Sequence, residues 1–228
     1  MKHLVSRLGA EIYHRAAHAL YRFKNRRAKF IDIYQRNGFG GRESISGPGS
    51  SLEQTAVIRR ELPALLGELN IHSLLDAPCG DFYWMKELDL DIKSYTGADI
   101  VPDIIRTNQM LYNNSRRQFV TLDITKDPLP AVDLILCRDC FIHLSFKDIL
   151  LALRNFAKSR SLYLLTTTFT EVENNRDIVT GRVRYINLGK APFNFPEPIR
   201  LINEECNGTD DNRSDKCIGL WKMDTLDL

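Results

Sequence analysis

The chain has 228 residues, of which 43% are hydrophobic and 26% are charged, and its formal net charge is +2. This length and balance predict one globular domain with a modest extension and a core that needs no disulfide bonds. The near-neutral charge does not favour a nucleic-acid partner, and no apolar run in the sequence reaches membrane-spanning length.

The five cysteines are an odd number, which is not typical of a secreted disulfide framework. Cys137 and Cys140 have the CxxC spacing of zinc or redox sites, but the sequence has no second such pair to complete a tetrahedral zinc site. We therefore interpret the cysteines as free thiols in a reducing cytoplasm and expect no metal.

Residues 3–24 carry apolar side chains on one face at helical spacing and basic side chains opposite, which predicts an amphipathic helix. We assign residues 1–35 to a basic N-terminal extension and residues 36–228 to the main domain. Three roles stay open for the helix. It packs on the domain, contacts a membrane surface or a partner protein, or serves as an organelle-targeting leader. The second role would place a cytoplasmic protein at the membrane periphery.

Residues 36–51 form a loop rich in Gly and Ser. A helix is predicted to follow over residues 51–69, because charged and apolar residues alternate there with helical spacing. Pro63 lies inside this pattern and is expected to kink the helix or divide it in two.

From residue 73 onward, short apolar runs alternate with helical patterns. Strands are predicted over 73–76, 94–99, 118–123, 131–137 and 161–167, and helices over 82–88, 102–113 and 146–157. Two further strands, 199–202 and 218–223, have no helix between them and predict an antiparallel hairpin at the sheet edge. This alternation of strands and helices predicts an α/β fold with a mainly parallel sheet and helices on both faces.

A glycine-containing turn, Asp76-Ala-Pro-Cys-Gly80, directly follows the first predicted strand. In a doubly wound sheet such a turn lies at the carboxyl ends of the strands, where ligands bind. Gly80 has no Cβ and lets a ligand approach the backbone. An ordinary strand–turn–helix connection is the alternative interpretation.

Two more carboxylates follow predicted strands. Asp99 ends the second strand, at the offset from the turn where a carboxylate accepts hydrogen bonds from both hydroxyls of a ribose. Asp123 ends the third strand, where its carboxylate or backbone would form a hydrogen bond with an adenine amine. Helix capping or a turn is the alternative role for both residues.

A dinucleotide is disfavoured as the ligand. It needs a Gly-x-Gly-x-x-Gly turn and a helix N-terminus that receives two negative charges. Asp81 occupies the position where that anion would lie. A carboxylate there repels phosphate but suits a cofactor that carries an ammonium and a sulfonium.

These motifs resemble those of the class I S-adenosylmethionine-dependent methyltransferases over roughly residues 38–223. Asp76 to Gly80 looks like their first motif, Asp99 like the ribose-binding motif and Asp123 like the adenine-side motif. The departure is Pro78 with Cys79, which replace small or glycine residues. The resemblance implies S-adenosyl-L-methionine as cofactor. It also implies a Rossmann-like, doubly wound sheet of seven strands, the last one antiparallel.

The motifs and the resemblance together give a set of expected cofactor-binding residues. The loop before the 51–69 helix, with Gln54, is expected to close over the methionine end, and Trp84 either stacks on a ligand or lies in the core. The set is Ser51, Thr55, Asp76, Pro78, Gly80, Asp81, Trp84, Asp99, Ile100, Asp123, Ile124, Cys137 and Arg138.

The candidate catalytic residues follow the fourth strand. Asp139 or His143 would take a proton from an acceptor, and Arg138 would bind an anionic substrate or orient a loop. A helix-start role is the alternative for His143.

The long polar segment after the fifth strand is expected to shape the acceptor pocket, because long loops at the ligand edge are usually functional. Its predicted substrate contacts are Asn175, Arg176, Asp177 and Asn187. The Asn/Asp-Pro-Pro-aromatic motif of amino-group methyltransferases is absent, so we expect methyl transfer to oxygen on a small molecule or glycan. A catalytically silent cofactor-binding module and a protein or nucleic-acid methyltransferase are the alternatives.

Overall fold

The computed structural model describes residues 24–206 and 214–228. The amphipathic helix predicted over residues 3–24 lies outside this part of the chain, apart from its last residue. The described helices α1 to α4 span, in order, Arg26–Gln35, Ala56–Glu68, Pro102–Tyr112 and Phe146–Lys158. The strands β1 to β7 span Ser73–Asp76, Ser94–Asp99, Arg117–Thr121, Leu134–Cys137, Tyr163–Phe169, Arg200–Asn203 and Lys216–Lys222.

The seven strands form one sheet in the order β3-β2-β1-β4-β5-β7-β6. The first five strands are parallel, β7 pairs with β5 in antiparallel register, and β6 pairs with β7 as an antiparallel hairpin. The predicted sheet, with its reversed last strand, is therefore confirmed. The strand order changes direction between β1 and β4, and such a switch point opens a crevice at the carboxyl ends of the strands.

Both faces of the sheet are buried. Along β4, Leu134 and Leu136 join one apolar core, while Ile135 and Cys137 join the other. Helices α2 and α3 contribute to the first core and α4 contributes to the second. This confirms the prediction of helices on both faces. It also explains why the sequences of the central strands are continuous apolar runs.

Helix α2 runs without interruption through Pro63, so the predicted division of this segment is wrong. Its apolar stripe is fully packed, because Ile58 and Leu62 have no exposed surface and Leu65 and Leu66 are buried. Burial of this stripe on both sides of the proline offsets the hydrogen bond that the proline cannot donate.

The helix predicted over residues 82–88 is also wrong. This stretch contains only a 3₁₀ turn at Met85–Glu87. Phe82 has a φ of 59°, which is incompatible with a right-handed helix. Its ring lies 5.4 Å from the Tyr95 ring and 5.1 Å from the Phe119 ring, so core packing fixes this conformation.

Helix α1 lies within the N-terminal segment 1–35, which the sequence predicts to be a basic amphipathic helical extension, but beyond the helix predicted over residues 3–24. Asn25 begins it by accepting a hydrogen bond from the Ala28 N–H. Arg26 then ties it to the loop after β3 and to α4 through ion pairs with Asp123 and Asp148, at 3.4 and 2.7 Å. No helix in the described part of the chain is long and apolar enough to span a membrane.

Candidate functional site

A cavity of about 670 Å³ lies at the carboxyl ends of the parallel strands. This is the crevice expected at the switch point of a doubly wound sheet, and its volume suits a ligand of cofactor size. The cavity has two ends, because β2 and β3 lie on one side of β1, and β4 and β5 lie on the other. We call them the acidic end, lined by Asp76, Gly80, Asp81, Asp99, Asp123 and Ile124, and the aromatic end, lined by Phe39, Ile142, His143, Phe169, Val183 and Tyr185.

The conformation of the turn after β1 strongly favours glycine at position 80. Gly80 has a φ of 52°, and a Cβ there would lie 2.2 Å from the Ser46 hydroxyl oxygen. The Gly80 N–H donates to Asp99 at 3.2 Å. Pro78 also lines the cavity and follows a cis peptide bond from Ala77. The turn therefore brings the backbone to the cavity surface and joins it to β2.

Asp99 is held rigidly in the wall of the acidic end. One carboxylate oxygen accepts the Gly80 N–H and the other accepts the Val101 N–H at 2.9 Å. Burial raises the pKa of Asp99 to about 6, although these backbone donors favour the charged form. Asp99 lines the cavity and a carboxylate has about four acceptor positions, so the group can accept a further hydrogen bond from a ligand. Ile100, the next residue, also lines the cavity.

Asp76 is the second buried carboxylate of the acidic end. Its side chain accepts a hydrogen bond from the Tyr95 hydroxyl, and only 3% of the residue is exposed. Burial raises the pKa of Asp76 to about 7, and the nearby charge of Asp99 adds to the rise. Two buried acids side by side form a site that a positively charged ligand would stabilise.

Asp81 anchors the loop that precedes α2. It accepts hydrogen bonds from Ser44 at 2.8 Å, from Ser46 at 3.2 Å, and from the Ile45 N–H at 3.0 Å. Residues 45–50 of this loop line the cavity together with Gln54. The predicted residues Ser51 and Thr55 do not line it. Thr55 is fully buried and donates to the Ser51 carbonyl, and Ser51 accepts the Gln54 N–H.

Asp123 lies two residues beyond β3 and lines the acidic end beside Ile124. Its carboxylate accepts hydrogen bonds from the backbone and hydroxyl of Thr125 and pairs with Arg26 of α1. The turn role weighed from the sequence is thus present. The same carboxylate also holds α1 over the cavity.

Four charged side chains form a compact cluster between the two ends. Arg138 donates from Nε to Glu204 at 2.7 Å and from Nη1 to the Gly49 carbonyl at 2.9 Å. Asp139 pairs with Arg138 at 3.1 Å and with Lys216 at 2.8 Å, and Lys216 lies 3.2 Å from Glu204. The two positive and two negative charges balance, as a buried cluster requires.

Asp139 is not suited to act as a base. Burial alone would raise its pKa, but the charges of Arg138 and Lys216 outweigh this and hold the pKa of Asp139 well below its ordinary value. Its φ of 51° places it in the left-handed region, so the ion pairs hold a strained backbone in place. Asp139 lines the cavity as a permanent carboxylate rather than as the predicted proton acceptor.

Two buried atoms of the cluster make no hydrogen bond to any residue in the described part of the chain, Arg138 Nη2 and Glu204 Oε2. The second of them lies 3.2 Å from the ammonium of Lys216. The side chain of Arg138 is 4% exposed, and its guanidinium carbon lies 5.6 Å from the centre of the Trp84 ring. A buried charged donor without an acceptor is costly. Since Arg138 lines the cavity, this donor fits an anionic group of a ligand.

His143 lies in a 3₁₀ turn after β4, at the aromatic end. Its Nδ1 lies 3.1 Å from the carbonyl oxygen of Arg182 and therefore carries the proton. Burial lowers the pKa of His143, so the ring is neutral near pH 7. The Phe39 ring packs against it, with centroids 4.7 Å apart. A neutral imidazole with Nδ1 protonated leaves Nε2 as a proton acceptor.

The loop after β5 contributes residues other than those predicted. Asn175 and Asn187 fold the loop on itself by hydrogen bonds to backbone carbonyls, and Asp177 accepts the Phe146 N–H at the start of α4. None of these three, nor Arg176, lines the cavity. The cavity wall takes its loop residues from 181–185 instead.

Two further predicted residues divide between cavity and core. Trp84 is 7% exposed and packs in the core with α2, as one of the two interpretations expected, and it also lines the cavity. Cys137 is the last residue of β4; it is fully buried in the core against α4 and does not line the cavity. All five cysteines are buried free thiols. Within residues 24–206 and 214–228, no group of three His, Cys, Asp or Glu residues is placed to hold a metal ion.

Sequence reasoning missed the part of the wall that α1 supplies. Arg26, Phe30, Ile33 and Tyr34 line the cavity. The signal was present, because Phe30, Ile33 and Tyr34 have the i, i+3, i+4 spacing of one helix face. Phe39 also lines the cavity, but no periodic pattern in the sequence could have predicted this.

The geometry disfavours a dinucleotide. The turn after β1 leads into residues 81–93, which contain no α-helix, so no helix N-terminus faces the cavity there. The Gly80 N–H donates to a carboxylate, Asp99, rather than pointing at a vacant anion site. The acidic end therefore suits hydroxyls and positive charge better than a pyrophosphate.

Neither a family sequence model nor a curated protein sequence matches this chain. Solved structures do match its fold. The SAM-bound magnesium protoporphyrin IX methyltransferase ChlM from Synechocystis PCC 6803 superposes with a TM-score of 0.58 at 14% identity, covering 87% of this chain and 97% of ChlM. The N-methyltransferase NodS from Bradyrhizobium japonicum WM9, in complex with S-adenosyl-L-homocysteine, superposes with a TM-score of 0.57 at 15% identity, covering 84% and 97%. The chain therefore has the Rossmann-like fold of the class I S-adenosylmethionine-dependent methyltransferases.

Proposed function

We propose that this protein binds S-adenosylmethionine and transfers its methyl group to an oxygen atom of a small-molecule acceptor. The observation that carries the proposal is Asp99, whose two carboxylate oxygens are fixed by the Gly80 and Val101 N–H groups at the cavity wall. A carboxylate held in this way at the end of β2 suits the two neighbouring hydroxyls of a ribose.

The remaining groups of the cofactor also find suitable partners. Arg138, with its unpartnered Nη2, fits the methionine carboxylate. Asp76 and Asp81 supply negative charge for the ammonium and sulfonium, and Asp123 with Ile124 would line the adenine. Gly80 and Ser46 both line the cavity, and the chain between ribose and sulfur would lie against them.

The proposed methyl transfer requires that the acceptor oxygen is aligned with the methyl group and that a base takes the proton of the acceptor. Strong polarisation of the acceptor is less important. When bound, S-adenosylmethionine supplies a methyl group on a positively charged sulfur with a neutral thioether as leaving group. His143 Nε2 accepts the proton of an acceptor hydroxyl. Asp139 acts through the charge cluster, in which it positions Arg138 and Lys216. Packing of the cofactor and acceptor against the cavity lining would exclude water from the reacting groups.

We also propose that α1, the described helix of the N-terminal extension, completes the cavity. This helix is tied to the domain by Arg26, and Phe30 and Ile33 lie in the cavity wall. The cofactor would be enclosed between α1 and the strand ends.

Calorimetry with S-adenosylmethionine tests cofactor binding. The Asp99→Ala variant should lose affinity by about 100-fold or more, because it removes charge-assisted hydrogen bonds of about 1.5–3 kcal/mol each. Asp103→Ala is the matched control, since Asp103 is on the first turn of α3, pairs only with exposed Arg106, and does not line the cavity. Equal affinity of wild type and Asp99→Ala would contradict the proposal.

Transfer from a methyl-labelled donor to a cell extract separates an enzyme from a catalytically silent binding module. Label in the small-molecule fraction supports the proposal. Label only in protein or nucleic acid would replace the proposed acceptor class, and binding without any transfer would indicate the silent module.

A further inference from the structure

The aromatic end of the cavity presents two pairs of packed rings. The ring centroids of Phe39 and His143 lie 4.7 Å apart at an interplanar angle of 42°, and those of Phe169 and Tyr185 lie 4.7 Å apart at 52°. Ile142 and Val183 line the same end. Such walls favour a planar ring as guest, because aromatic rings gain from offset and edge-to-face contacts beyond the area that they bury.

A sugar would fit this end poorly. A glycan carries a hydroxyl on most of its carbons, and each hydroxyl that is buried without a partner weakens binding. Of the six residues that line this end, only His143 and Tyr185 have a side chain that can form hydrogen bonds. The composition of this wall therefore points away from the glycan that the sequence left open as an acceptor.

The base at this end restricts the acceptor further. Nδ1 of His143 is committed to the Arg182 carbonyl, so only Nε2 of a neutral imidazole can accept a proton. A phenol, with a pKa of about 10, gives its proton to imidazole far more readily than an aliphatic alcohol, whose acidity is closer to that of water at about 15.7. A neutral histidine without a metal ion therefore suits a phenolic hydroxyl.

We propose that the methyl acceptor is a phenolic hydroxyl on a small planar aromatic molecule, whose ring lies at the aromatic end and whose oxygen faces His143. The inference rests on the proposed function and names the substrate class of the same cavity. In the transfer, the bond between the phenol oxygen and the methyl carbon forms as the bond between sulfur and that carbon breaks. The bonding pair stays on sulfur, which becomes a neutral thioether. The phenol proton goes to Nε2 and then to solvent.

A matched set of acceptors tests the proposal. We would compare 2-naphthol with decahydro-2-naphthol, which has the same carbon skeleton without aromatic rings, and with methyl α-glucopyranoside. Phenol itself serves as a smaller aromatic acceptor. With labelled S-adenosylmethionine, kcat/KM for the better of the two phenols should exceed that for each non-aromatic acceptor by at least 100-fold.

The His143→Gln variant tests the role of the base. Its kcat with 2-naphthol should fall by about 100-fold while its affinity for S-adenosylmethionine stays unchanged. The loss should be much smaller with 4-nitrophenol, which is already ionised at pH 8 and needs no base. His72→Gln is the control, because His72 is exposed at the start of β1 and does not line the cavity.

Two results would overturn the inference while leaving the proposed function intact. One is equal or faster methylation of decahydro-2-naphthol or of the glucoside. The other is no transfer to either phenol by a protein that binds S-adenosylmethionine in the calorimeter. Absence of cofactor binding by the wild type would overturn the proposed function itself, and this inference with it.

Discussion

The acidic and aromatic ends of the cavity differ in how the chain builds them. The acidic end comes from residues that directly end or follow strands, such as Asp76, Gly80 and Asp99. The aromatic end joins distant segments, with Phe39 before α2 and Val183 in the loop after β5. The first end is therefore fixed by the sheet itself, whereas the second depends on loops that cross over it.

The two ends also differ in the free-energy cost of their buried side chains when no ligand is bound. The acidic end buries carboxylates that are costly without a positive or hydroxyl-bearing ligand, and the raised pKa values of Asp76 and Asp99 report that cost. The aromatic end buries rings that are stable by themselves. Changes at the acidic end should therefore affect cofactor affinity, and changes at the aromatic end should affect acceptor use alone.

The largest expected effect is that of Gly80→Ala. The new Cβ would lie 2.2 Å from the Ser46 hydroxyl oxygen, at a φ that disfavours any side chain, so the turn must shift. Affinity for S-adenosylmethionine should fall by about 100-fold or more in calorimetry, with Asp99 displaced from its Gly80 donor. Gly67→Ala is the matched control. It adds a methyl group to open space in α2 and should raise stability by about 0.4–1 kcal/mol.

Arg138→Met should have the next largest effect. Loss of one charge-assisted hydrogen bond of about 1.5–3 kcal/mol weakens cofactor affinity by about 10- to 100-fold. The variant should also lose about 3–5 kcal/mol of unfolding free energy, because Glu204 loses a buried partner. The double variant Arg138→Met/Glu204→Gln should recover part of the stability in denaturant titrations without recovering affinity. Recovery of both would show that Arg138 acts on the fold and not on the cofactor.

The smallest predicted effect is the pH dependence, which distinguishes the ends without mutation. The pKa of Asp76 is raised to about 7 and that of Asp99 to about 6, so both lose their charge as the pH falls through this range. Affinity for S-adenosylmethionine should be greatest above pH 7 and about tenfold weaker at pH 5. Because Asp76 has the higher pKa, Asp76→Asn should remove the upper part of this dependence.

Calorimetric titrations with S-adenosylmethionine between pH 5 and 8 measure this pH dependence of cofactor affinity. His143 contributes separately, since burial lowers its pKa and its protonation therefore reduces kcat only in more acidic solution. A cofactor affinity that stays constant from pH 5 to 8 would contradict the assignment of the two buried acids to the cofactor.

The strand ends were predictable, and the loops were not. The boundaries of β1 and β2 follow from short apolar runs, and these runs place Asp76 and Asp99 at the same edge of the sheet. The helix predicted at 82–88 failed because Phe82 takes its backbone conformation from rings on β2 and β3. Local propensity cannot foresee such contacts.

The amino-acid sequence by itself determined the order of the strands along the chain, the reversed final hairpin and the acidic residues of the cavity. These follow from hydrophobic periods and from strand-end positions that are local in the chain. Only the tertiary structure decided that Asp139 is locked in ion pairs, that His143 keeps a proton acceptor, and that Phe39 reaches the site. The charge of a buried acid and the neighbours of a ring depend on residues far away in the chain, such as Lys216, which no local pattern specifies.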